Sequence, residues 1–161
     1  MLPYFTLIEY LIFAKPIKDA INAASELFKK IKITEGDKRA LIDELRENLG
    51  FCSVVLIDQV PIEDAISLIS TKEYDRLNRS GYDFNKLQTK KIQFENAELK
   101  HALNAWEGKK TSELIDTVYT KLKIIKHQYP VAKNSNKKRW LVRVNNINKR
   151  IIGLITHISK N

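Results

Sequence analysis

A chain of 161 residues, 43% hydrophobic and 29% charged, has the size of one domain and enough apolar residues to bury a core without staples, which excludes wholesale disorder. Five glycines and four prolines are too few for the tight turns of an all-β chain, and a lone Cys52 excludes an intrachain disulfide and fits a reducing compartment. The formal charge of +9 is segregated: residues 1–80 hold 11 Lys/Arg against 13 Asp/Glu, and residues 81–161 hold 17 against 6.

The apolar start, 1–14, reads as a short helix with Pro3 in its first turn and Pro16 ending or kinking it. It lacks the basic flank of a signal peptide, contains Glu9, and falls short of the roughly 20 apolar residues that a bilayer span needs. A cytoplasmic location and no transmembrane segment are therefore expected. Phe5, Ile8, Tyr10, Leu11, Ile12 and Phe13 need cover, as core, as an oligomer interface or against a membrane, the last disfavoured by Glu9. Ile17, Ala20, Ile21, Ala24, Leu27, Phe28 and Ile31 then recur at helical spacing.

Thr34 with Asp37 has the form of a helix start, and Leu41, Leu45, Leu49, Cys52 and Leu56 mark the buried face of a helix running to about Gln59. Pro61 opens a short helix carrying Ile62, Ala65, Ile66 and Ile69. Ser70 and Glu73 have capping-box spacing for another that stops near Gly81. Asp83 can cap the next segment, where Ile92, Leu99, Ala102, Leu103 and Trp106 predict a helix ending by Gly108. Thr111 is a cap for 112–129, which would bury Leu114, Ile115, Val118, Leu122 and Ile125 and stop at Pro130. Residues 130–136 read as a loop, with Ser135 or Asn136 capping a final helix whose apolar face is Trp140, Leu141, Val144, Ile147, Ile151, Leu154, Ile155 and Ile158. The expected fold is all-α: one bundle of five to seven helices with short connections.

The final segment carries the chemistry. From Thr117 to Asn161 there are eleven Lys/Arg and no acid. At about 100° per residue, Arg139, Arg143, Asn146, Arg150, Gly153 and His157 share a stripe roughly 80° wide, well away from the apolar face. With Lys137, Lys138 and Lys149 they form a candidate polyanion site. Arginine keeps its charge and presents planar forks matched to phosphate or carboxylate. Trp140 lies on the apolar face and reads as core rather than as a stacking platform. No zinc-finger spacing, RNP motif or GxxG loop is present, so backbone contact would have to supply the affinity.

Arg150 and His157 are separated by six residues, a spacing that resembles the Arg-x4-6-His signature of the HEPN ribonucleases, themselves small helical bundles. The resemblance implies metal-independent RNA cleavage by an arginine and a histidine brought together from two protomers. The residue after the arginine, usually polar in that family, is Ile151 here. Glu98 and His101 form one Glu-x-x-His pair, whereas a di-iron bundle requires two such pairs and two further carboxylates, so neither a metal nor a cofactor is expected. Cys52 sits on an apolar face and reads as a buried thiol. Three functions follow in order. The first is a non-catalytic module gripping RNA or DNA through its backbone, within a larger assembly. The second is an adaptor whose basic face meets an acidic protein or an anionic membrane. The third is the HEPN-like ribonuclease.

Overall fold

A computed structural model describes residues 7–31, 35–132, 134 and 137–160, with side chains from Lys15 onward in the first helix and from Arg139 in the last. Seven α-helices, with no strand among the described residues, build the all-α bundle. They are α1 (Leu7–Lys30), α2 (Gly36–Leu56), α3 (Ile62–Ala65), α4 (Lys72–Arg79), α5 (Ala97–Ala102), α6 (Thr111–Ala132) and α7 (Lys137–Ile158). Helix α7 packs on α1, α2 and α6, and so lies at the centre of the fold. None of the described helices is long and apolar enough to cross a membrane.

The periodic apolar residues explain this arrangement. Leu41, Leu45, Leu49 and Cys52 of α2, Leu114, Ile115, Val118 and Leu122 of α6, and Val144, Ile147, Ile151, Leu154 and Ile155 of α7 are all buried. Each such side chain removed from water stabilises the fold by about 1.5–3 kcal/mol before entropy is counted. Trp140 is a core residue, packed edge-on against Tyr129 with ring centroids 5.3 Å apart. That contact and one between Thr111 and His157 lie at opposite ends of α6 and α7, so the two helices run antiparallel.

Several boundaries differ from the sequence expectation. Pro16 does not end the first helix: α1 runs through it, and two expected helices are one. Pro130 likewise sits inside the last turn of α6, although it has no N–H to give to a carbonyl one turn back. Helix α2 stops short of Gln59, which takes a positive φ of 56°. Thr34, Ser135 and Asn136, expected as caps, lie outside the described residues.

The expected capping box of Ser70 and Glu73 is replaced by a tertiary cap. Glu44, buried on α2, accepts from the Ser70 hydroxyl (2.9 Å), the Glu73 amide (2.8 Å) and the Tyr74 amide (3.0 Å), so a distant carboxylate satisfies the first N–H groups of α4. Helix α4 ends at Arg79, near Gly81 as expected, and the φ of 72° at Gly81 permits the paired bonds from Gly81 N to Asn78 O and from Tyr82 N to Leu77 O.

The largest correction concerns residues 88–96. Asp83 caps only a 3₁₀ turn, Phe84–Leu87, and the helix expected through Ile92 is absent. Ile92 and Phe94 are buried while Gln93 and Glu95 are exposed, the alternation of an extended segment. Its backbone bonds in both directions with the 106–109 turn, from Ile92 N to Lys109 O and from Gly108 N to Ile92 O. Helix α5 starts only at Ala97, capped by the Asn96 side chain.

Candidate polyanion interface

Helix α7 presents its polar stripe in two parts. In the first part Arg139, Asn146 and Lys149 are exposed, and Arg143 and Arg150 are half-buried. The Arg143 guanidinium lies 4.6 Å from the centre of the Trp140 ring, a cation–π contact that fixes its plane. Arg150 donates from Nη1 to the Asn146 carbonyl (3.0 Å), while its Nε is buried without a partner. Burial holds the Arg150 pKa below the usual guanidinium value. The side chains of Lys137 and Lys138, in the first turn, lie outside the described residues.

The second part of the stripe is interior. Gly153 is buried beneath the 88–96 segment and the residues after α5, and a Cβ there would run into Leu103 Cδ1 and the Phe94 ring. His157 is only 2% exposed. The Thr111 hydroxyl gives its one proton to the Gln88 carbonyl (2.7 Å) and so accepts from His157 Nε2–H (3.0 Å). Thr111 is therefore not a surface cap but the first residue of α6 with its side chain in the core. Lys110, before it, has its amide held by Glu113 (2.8 Å). Burial and the Lys160 ammonium hold the His157 pKa below its usual range, against a backbone hydrogen bond at Lys90. His157 is thus a structural group, and it belongs neither to a polyanion surface nor, with Arg150, to an open ribonuclease site.

What α7 loses there, α6 replaces. Lys121, Ile124, Ile125 and Gln128 of α6 face Arg143, Asn146, Ile147 and Arg150 of α7 across a groove of about 230 Å³. Three cations and two side-chain amides line it, with no acid among them. Among the described residues Lys121, Arg139, Arg143, Lys149 and Arg150 form no ion pair. Other cations do: Arg76 meets Asp37 and Glu73, Lys123 meets Asp75, and Lys160 meets Glu95. The contributions of α6 were missed because the stripe on α7 was read alone. Lys121, Ile124 and Gln128 stand at i, i+3 and i+7, and a helical wheel of α6 would have put them on one face.

The other candidates are dispersed. Cys52 is fully buried and burial pushes its thiol well above the usual range, so it is not a ready nucleophile. Glu98 and His101 are exposed on α5, and no group of three or more His, Cys, Asp or Glu among the described residues is close enough to hold a metal ion. Comparison with protein-family models, curated proteins and solved structures gave no match.

Proposed function

We propose that this protein is a non-catalytic module that binds nucleic acid through its phosphate backbone, with the α6–α7 groove and the exposed cations beside it as the contact surface. One observation carries the reading: Lys121, Arg143 and Arg150 line one groove, and neither they nor Arg139 and Lys149 are neutralised by a described acid. Cations elsewhere, among them Lys72, Lys86, Lys90 and Lys91, are also without an ion pair, so what sets this face apart is that three cations line one groove with no acid among them. Its field attracts polyanions, and the arginine forks suit phosphate oxygens. Sequence discrimination is not part of the proposal, because affinity would come from counterion release at the backbone.

A second reading keeps the same face and changes the partner. Val131 is 88% exposed at the end of α6 and Val142 51% exposed on α7, apolar groups of the kind an acidic protein surface would cover. Titration of fluorescent single-stranded RNA, single-stranded DNA and duplex at low salt tests the first reading. The expected outcome is binding to each that weakens steeply as salt is raised, without added metal. Absence of binding to all three would overturn it in favour of the adaptor.

A further inference from the structure

Nucleic-acid backbone carries singly charged phosphodiesters along its length and, at a phosphorylated end, a monoester. The monoester bears about −1.5 to −2 at pH 7 and three strong acceptor oxygens. The α6–α7 groove is built for the second kind of group. Its volume of about 230 Å³ is below the roughly 300–1,000 Å³ of pockets that enclose a whole drug-sized ligand, so it suits one compact group. Three cations converge on it, more than one diester charge would balance.

Two of the arginines are also held in place by the chain. Arg150 spends Nη1 on the Asn146 carbonyl, which fixes its guanidinium. The opposite edge, Nε with Nη2, is one of the two forks a guanidinium offers, and Nε is buried without an acceptor. Arg143 is held over Trp140, and the Gln128 and Asn146 amides add uncharged donors. Ile124, Ile125 and Ile147 supply apolar walls that lower the local dielectric and strengthen each charge-assisted bond.

We propose that the α6–α7 groove seats one phosphate monoester, gripped by Arg143, Arg150 and Lys121, so that the protein favours phosphorylated ends of nucleic-acid strands over internal backbone. This rests on the nucleic-acid reading above and deepens it. A strand end and a free nucleotide present the same group, and the test separates them.

Binding of one short oligonucleotide is measured in three forms, with a 5′-phosphate, with a 3′-phosphate and with hydroxyls at both ends, and a nucleoside monophosphate is titrated as competitor. A phosphorylated end is expected to bind about tenfold more tightly than the all-hydroxyl strand, the gain of one charge-assisted contact. That advantage, but not the residual binding, should vanish in Arg150→Lys, which keeps the charge and removes the fork. It should shrink in Lys121→Gln, a second variant that leaves α7 intact. It should also decline as pH falls through about 6, where the monoester dianion takes up a proton and becomes a monoanion. Equal binding of all three strands would overturn the seat and leave the nucleic-acid reading standing. Binding of none would overturn both. A nucleoside monophosphate that binds as tightly as the phosphorylated strand would uphold the seat and overturn the strand as its occupant.

Discussion

Between α2 and α4 the buried Glu44 carboxylate is surrounded by donors from Ser70, Glu73 and Tyr74, while between α6 and α7 the half-buried Arg150 keeps Nε without an acceptor and shares a groove with two more cations. Both are charged groups drawn in from water, which is costly unless the charge is matched. The chain matches the first from within. It locks the start of α4 onto α2, and beside it Tyr74 stacks on Tyr119 (4.2 Å) and donates to Asp116 (3.0 Å). The second it holds in place without completing. A polar group saturated by its own chain serves the fold, whereas cations that line a groove with no acid beside them leave their charge to be met from outside.

The widest gap this comparison predicts is in stability. Glu44→Ala leaves two backbone amides and a hydroxyl unmet and should cost roughly 3–5 kcal/mol in urea denaturation, whereas Arg150→Gln should cost less than about 1 kcal/mol. Similar costs for the two would break the comparison, because Arg150 would then be as structural as Glu44. Next in size, Gly153→Leu should destabilise by about 2–3 kcal/mol through overpacking against Leu103 and Phe94. A variant as stable as the parent would mean that this part of the stripe is open after all.

A pH series sharpens the same boundary. The folded His157 pKa is depressed below the unfolded value near 6.5, so the unfolded chain takes up a proton first as the medium is acidified. The contribution of His157 is therefore fully present above about pH 6.5 and is lost as pH falls below it, with a slope of at most about 1.4 kcal/mol per pH unit. Chemical denaturation between about pH 7 and 5 should show that slope in the parent and a flatter one in His157→Gln; identical slopes would place the imidazole in solvent. Smallest of all, Arg139→Ala and Lys149→Ala, both exposed, should change stability by no more than about 0.5 kcal/mol.

The bundle was legible in the sequence because its long helices repeat apolar residues at the helical period: Leu41 to Leu56, Leu114 to Ile125 and Trp140 to Ile158 lie in the core almost as spaced. Short and irregular elements were not. Ile92 and Phe94 occupy an extended segment whose burial depends on contacts with the 106–109 turn and α7, which local periodicity does not encode. The Ser70 capping box lost to Glu44, a residue 26 positions away that competes for the same amides. Proline predicts an end or a kink at Pro16 and an end at Pro130, yet the helix continues past both. Of the candidate site, the angular position of Arg139, Arg143, Asn146 and Arg150 was readable, but burial of Gly153 and His157 was not. A helical wheel shows where a side chain points and not what another segment later lays over it.

The central claim is that the cations gathered in the acid-free α6–α7 groove are the ones that meet a polyanion. Its most direct test is the salt dependence of single-strand binding for the parent and for Lys121→Gln combined with Arg143→Gln and Arg150→Gln, with folding checked by thermal melting. If each of the three neutralises a phosphate, the plot of log affinity against log salt should be shallower in the triple variant by about two units, at roughly 0.7 per contact. Parallel lines for the two proteins would contradict the claim and move the binding surface away from the α6–α7 groove.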